Sequence, residues 1–293
     1  MKKLAITFIC LFMAVATLSA IDFNEIDRLV AKSDWNGSKA LLEKALPQAK
    51  PGNEKSEVLW RLARVHMLFG DVAKSKSEKR AEFGKGIGFA EAAIKEDPQN
   101  ENGYLWHCAN VGRECQTRSL MEQASKVSVL INDLSSIIDN LGKVDCAEAW
   151  QALAEIYYNH PMKSSDAAAN FTRKSISNIP EGEVRMNTYI LLAKILYDRK
   201  WNAEKRSKVI SENAAKFKKT YSSNFDKYAY FDGSQGADYV PVWSEKALGA
   251  MTDRDEAKAL LEYARSMYNG KKIKTQMDEK DYKELVDLLS VWK

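Results

Sequence analysis

A large residue followed by a small one returns along this chain as Leu62-Ala63, Cys108-Ala109, Leu153-Ala154 and Leu192-Ala193. The alanines lie 46, 45 and 39 residues apart, and a weaker copy, Leu29-Val30, sits 33 residues before Ala63. Each pair belongs to an apolar set with i, i+3, i+4, i+7 spacing: Leu59/Leu62/Ala63/His66, Leu105/Cys108/Ala109/Gly112, Trp150/Leu153/Ala154/Tyr157 and Tyr189/Leu192/Ala193/Leu196. That spacing is one face of a helix. A small residue in the middle of the face lets a second helix approach closely. The second helices are expected over 38–46, 89–95 and 167–177, with Asp97-Pro98 and Ile179-Pro180 ending two of them. Helix pairs returning at such a period predict an all-α solenoid of four to five pairs.

The amino terminus predicts export. Met1-Lys2-Lys3 is a basic start, residues 4–18 are nearly all apolar, and Ser19-Ala20 are small. This is the pattern of a signal peptide over residues 1–20. The apolar run is shorter than the ~20 residues a spanning helix needs, and no later stretch is long and apolar enough to span. Cys10 sits mid-run, where it cannot take a lipid anchor. Cleavage removes two lysines from a total of 44 basic and 40 acidic residues. So even a balance offers no general attraction for nucleic acid. The expected location is periplasmic or secreted. Cys108, Cys115 and Cys146 remain. The first two are two helical turns, ~10 Å, apart, beyond disulfide reach.

The stretch Trp150-x-x-Leu-Ala-x-x-Tyr157 with Ala168, Phe171 and Pro180 resembles the tetratricopeptide repeat family, as does Ala92-Ala93 with Asp97-Pro98. The usual period is about 34 residues; here the excess is expected between paired helices, at 71–88 and 117–141. Two groups are most similar: the exported T component of tripartite (TRAP) transporters, and the regulator of microtubule dynamics family. Both share Ala92-Ala93-x-x-x-Asp97-Pro98, Tyr104-x-Trp106, Gly112-Arg113 and a long helix near 124–141. A signal peptide favours the transporter group. The expected domains are a signal peptide (1–20), a helical array (21–215), and an aromatic-rich loop with a helical cap (216–293). That last part holds eight aromatics in the 27 residues from Phe217 to Trp243, read as packed on the solenoid, with a ligand-stacking lid as the alternative. Residues 257–268 and a helix capped by Asp278 close the array.

Catalytic signals are missing from the sequence. His66, His107 and His160 are scattered, and no metal-ligand spacing, nucleophile elbow or Cys/His pairing is written. Gly84-Lys85-Gly86-Ile87-Gly88 lacks the GKS/GKT ending of a phosphate loop and is expected to be a helix–helix connection. The expectation is no enzyme, no cofactor and no metal.

Binding is expected along the first helices of the pairs, which the resemblance places on a concave wall. The candidate residues are Trp60, Arg64 and Met67; Trp106, Asn110 and Arg113; Gln151, Glu155, Tyr158 and Asn159; and Lys194, Tyr197 and Asp198. Aromatics interspersed with polar groups suit a partner groove. The expected function is an exported scaffold for a protein partner in the cell envelope, such as a transporter's solute-binding component. The alternative is a periplasmic carrier of a small apolar ligand.

Overall fold

A computed structural model describes residues 20–160, 163–231 and 236–292 of the chain. The expected signal peptide lies almost wholly outside them. Among the described residues there are thirteen α-helices and no strand.

Five helix pairs follow one another. They are α1 (Phe23–Ala31) with α2 (Trp35–Ala45), α3 (Asn53–Val72) with α4 (Lys76–Glu96), α5 (Glu101–Cys115) with α6 (Leu120–Ser135), and α7 (Ala147–Asn159) with α8 (Ser165–Ser177). The fifth is split. Helix α9 (Met186–Arg199) packs on α12 (Asp253–Gly270), not on the two helices between them, α10 (Ala203–Phe217) and α11 (Asn224–Tyr228). A last helix, α13 (Gln276–Val291), lies over α9 and α12. Short polar turns join the partners of the first four pairs, and their caps are chemical. Asp22, Asp34, Ser75, Asn100, Ser119 and Ser164 each accept a hydrogen bond from a backbone N–H of the first turn, which satisfies donors a helix leaves orphaned. In α13 Thr275 is the cap, and Asp278 returns the bond from the third helical position; the expected cap is therefore three residues too late.

The alanine pattern maps onto the pair contacts. Ala63, Ala154 and Ala193 are fully buried, together with Leu62, Leu153 and Leu192. Ala109 is half-buried. In α5 the approach to α6 goes through Cys108, whose thiol faces the Leu130 carbonyl, and through Gly112 beside the Leu130 side chain. Cys108, Cys115 and Cys146 are unbridged. Burial pushes all three thiols up, Cys146 to about 11, so they are inert small apolar groups.

The extra length of the repeats is helix rather than loop. The connection expected at 71–88 is mostly α4, which runs unbroken through Gly84, Gly86 and Gly88. At 117–141 the excess is the long helix expected near 124–141: α6 followed by a π-turn over Ser136–Asn140, in which Ile137 and Ile138 are both buried. Glycine weakens a helix by ~1 kcal/mol relative to alanine, so a triple run reads as a loop. Its use here is spatial. A Cβ on Gly86 would overlap the Asn110 side-chain amide, and one on Gly70 would overlap the Phe83 ring. Gly84 and Gly88 face open space. These neighbours separate under substitution. Gly84→Ala and Gly88→Ala should each raise stability by up to ~1 kcal/mol. Gly86→Ala should lower it by ~1–3 kcal/mol, because Asn110 is forced off its partners. Chemical denaturation of the three variants measures both signs.

Three arginines and three carboxylates tie the split pair together. Glu256 accepts both terminal nitrogens of Arg173 (2.7 Å each), Nη2 of Arg206 (2.5 Å) and the Trp243 indole N–H (3.2 Å). Asp253 accepts Nη1 of Arg206 (2.8 Å), Nε and Nη2 of Arg199 (2.9 and 2.8 Å) and the Trp201 backbone N–H (2.9 Å). Asp166 accepts Arg199 and Asn213 (3.0 and 2.8 Å). Arg206, Asp253 and Glu256 are fully buried. The cluster therefore joins α8, α9, α10 and α12 around a centre, Arg206 with Asp253 and Glu256, that cannot reach water.

The aromatic segment is packing, as its first reading has it. Phe225 stacks on Phe171 at 5.5 Å and Tyr228 lies 5.1 Å from Trp150. Phe217, Tyr228 and Phe231 meet one another, and Trp243 meets Tyr189. These rings close over α7, α8 and α9 rather than over an open ligand site.

Candidate functional site

The thirteen candidate residues fall into two groups on the first helices. Helix α3 lies against α5, and α7 against α9, but α5 and α7 barely touch. The groups are thus set by two separate helix contacts.

In the first group the Trp60 and Trp106 rings are parallel to within 3°, with centroids 6.4 Å apart. The guanidinium of Arg61 lies 4.1 Å from the Trp60 ring centre, and that of Arg64 lies 5.2 Å from it and 6.0 Å from Trp106. Asp27 of α1 joins both arginines, at 2.9 Å from Arg61 and in close contact with Arg64. Burial would raise the Asp27 pKa, but the hydrogen bonds and charges of Arg61 and Arg64 outweigh it and hold the carboxyl below its usual value. The result is an ion pair laid across an indole stack, with cation–π attraction worth ~0.5–2 kcal/mol per contact.

Exposure within this group differs from the sequence expectation. Trp60 is only 6% exposed, and its indole N–H has no partner among the described atoms. It packs with Leu59, Ala93, Leu46 and Phe89. Asn110 is wholly buried and donates to the carbonyls of Ala63 (3.1 Å) and Trp106 (2.8 Å). Both are therefore interior residues, not groove lining. The reason is position: α3, which carries Trp60, is flanked by α2, α4 and α5, and α5, which carries Asn110, by α3, α4 and α6, so each buries more than one stripe. Trp106, Arg64 and Met67 are half-buried, and Arg113 is exposed, 3.4 Å from Asp71.

In the second group Gln151 donates to Glu155 (3.1 Å) and accepts from the buried Thr188 hydroxyl (2.7 Å). Asn159 donates to the Glu155 carbonyl at 2.8 Å. Tyr158 donates to Asp198 at 2.5 Å, and burial followed by that carboxylate pushes its phenol up. Lys194 reaches Glu284 of α13 (2.9 Å). The Tyr197 ring is covered by Trp292, stacked at 3.9 Å and 3°. An open cleft of about 380 Å³ lies beside Gln151 and Glu155, completed by Glu148, Ala152, Glu183, Arg185 and Asn187. A second, of about 460 Å³, is lined by Asp139 and the polar turn between α10 and α11. Charged and other polar groups dominate both walls, so neither cleft is the enclosed apolar chamber a small-ligand carrier requires.

Sequence reasoning missed Asp27 and Arg61, which organise the first group, and Arg185, which bridges Glu148 (2.6 Å) and Glu183 (2.9 Å) in the second. A carboxylate on the weak first repeat was the available sign for Asp27. Arg185 follows a turn that no periodicity registers.

The histidines are structural on both counts. His66 is buried, holds Glu82 at 2.7 Å and stacks on Phe89; burial dominates and lowers its pKa. His107 holds Asp133 at 2.7 Å. Burial opposes its charge, but Asp133 and Glu91 prevail and raise its pKa. No group of three or more potential metal ligands comes together among the described residues.

Residues 22–132, somewhat over a third of the chain, match the family model described as regulator of microtubule dynamics protein 1-3. A search of curated proteins finds no match. The matched stretch is α1 to α6, so it contains the whole Trp60–Trp106–Arg64 group. This finding overturns the expected exported scaffold of a TRAP-type transporter, and with it the periplasmic or secreted location and the envelope partner: the family that matches is named for a cytoskeletal polymer. The tetratricopeptide resemblance rests on residue pattern alone. No helix among the described residues is long and apolar enough to cross a membrane.

Proposed function

We propose that this chain acts on microtubule dynamics by binding, without catalysing a reaction. The observation that carries the reading is the family match over residues 22–132. Binding without chemistry fits the use made of the reactive side chains. The two histidines of the matched stretch are held by carboxylates, and its two cysteines are buried with raised thiols. Within that stretch the reachable part of the first candidate group is Trp106, Arg64 and Arg113, and aromatic and arginine side chains are the usual anchors of an interface.

The purified chain should change growth, shrinkage or switching rates of microtubules followed by time-lapse microscopy at micromolar concentration. Unchanged dynamics would overturn the proposal. Trp106→Ala combined with Arg113→Ala should weaken the effect at least ~10-fold, since an anchor is commonly worth ~2 kcal/mol or more. An effect of parental size in that variant would move the contact elsewhere on the chain.

A further inference from the structure

We infer that the solvent face of α10, with the turn that follows it, is a docking surface for an acidic polypeptide segment. This surface lies outside residues 22–132 and goes beyond the microtubule reading.

Residues 200–227 carry seven lysines against Glu204, Glu212 and Asp226. No lysine of the seven is in an ion pair among the described residues. Elsewhere Lys55, Lys85, Lys194 and Lys271 reach carboxylates while others among the described residues, Lys76 and Lys272 among them, do not, so what sets this segment apart is the density of its lysines along one helix and turn. The one arginine in the segment, Arg206, is consumed by the buried cluster. In α10 the buried residues Arg206, Ile210 and Asn213 share one side. Lys205, Lys208 and Lys216 fall on another, within a stripe of about 80° at 100° per residue, and Lys219 follows two residues past the helix end. From Lys205 to Lys219 the stripe runs ~20 Å, the reach of about six extended residues.

Helix stability does not account for it. Lys216 and Lys219 sit at the carboxyl end of α10, where a cation is favoured. Lys205 and Lys208 lie in its first two turns, where the helix dipole disfavours one. The cleft at the end of the stripe adds two cations, Lys219 and Lys227, and the hydroxyls of Thr220 and Ser222; its one carboxylate, Asp139, is occupied by the Asn224 backbone N–H at 2.6 Å.

Other anionic partners fit less well. The aromatic rings here are covered by lysine heads, Trp201 by Lys205 (4.5 Å), Tyr230 by Lys216 (5.2 Å) and Phe217 by Lys227 (4.9 Å). On these three rings one face is already taken, which leaves less surface for stacked bases. No large exposed apolar side chain lies between 200 and 227 among the described residues, whereas lipid surfaces are held through inserted apolar groups. Lysines as unpaired point charges, with hydroxyl donors beside them, match a row of carboxylates.

The test is fluorescence anisotropy with a labelled deca-glutamate peptide. The chain should bind it at 50 mM salt and lose roughly tenfold or more at 200 mM, as exposed charges are screened. Lys205→Glu, Lys208→Glu, Lys216→Glu and Lys219→Glu combined should abolish binding with helicity by circular dichroism unchanged. A control of equal charge, Lys76→Glu, Lys272→Glu, Lys274→Glu and Lys283→Glu, should bind within about threefold of the parent. Parental binding by the first variant, equal loss in the control, or tighter binding to single-stranded oligonucleotide or to phosphatidylserine vesicles than to the peptide would each overturn the inference.

Discussion

Glu256→Ala should lower stability by ~3–5 kcal/mol, among the largest effects of any single substitution in this chain. The carboxylate is fully buried and takes four hydrogen bonds. Removing it takes the bidentate carboxylate from Arg173 and leaves Arg206 with Asp253 alone of its two buried carboxylates, and breaking a buried pair by deleting one partner costs about that much. The same residue writes a pH dependence. Burial opposes its charge, but Arg173 and Arg206 overcome this and hold the carboxyl at about 2, against 4.5 for an ordinary glutamate. The folded pKa is depressed, so the contribution is complete above about 4.5 and is lost as pH falls toward 2. It amounts to ~3 kcal/mol. Urea titrations at pH 7 and pH 3 should show the parent losing stability that Glu256→Ala has already lost. Equal pH dependence in the two proteins would refute the assignment.

Trp60→Ala should cost ~3–5 kcal/mol of stability, the range for emptying a large buried aromatic site. Trp106→Ala, at a half-buried position, should cost less. The Trp60 ring fills the space between Leu59, Ala93 and the Trp106 ring, and its loss also removes the surface on which Arg61 and Arg64 rest. Thermal melts of the two single variants measure the order. If Trp60→Ala melts with the parent, the packing of α3 against α4 and α5 is not as described.

Which features were legible in the sequence follows from how local their causes are. Ala63, Ala154 and Ala193 were readable because a helix repeats its buried face within one turn, and the pattern needs no knowledge of the neighbour. The glycines of α4 misled for the opposite reason. Their local tendency is toward a turn, while the one that is spatially required, Gly86, is needed for a contact with Asn110, 24 residues away in sequence. Trp60 and Asn110 were assigned to a surface because a two-sided helix was assumed, whereas α3 and α5 each have packed neighbours on several sides. The helices at 257–268 and after Asp278 were expected to close the array, and both do lie on α9; what the sequence did not show is that α12 replaces α10 as the partner of α9, since the first regular helix after α9 is α10. Candidate residues were legible as a row of first-helix positions. Their division into two groups, and the roles of Asp27 and Arg185, depend on which helices meet.

The split fifth pair also sets an order of events on the ribosome. The first four pairs join neighbours in the chain, so each can form as soon as its second helix emerges, with only a short loop to close. The apolar side of α9, including Leu192 and Leu196, waits until residues 253–270 have been made and have crossed back over α10 and the aromatic segment. During that interval the growing chain holds α9 packed against α7 and α8 without α12, beside Arg206, whose two carboxylates on α12 are not yet made, the kind of half-assembled state in which chains stick to one another. Synthesis therefore completes the molecule from its last fifth, and a break in translation after α10 would leave a product that has all its early repeats and no means of sealing them.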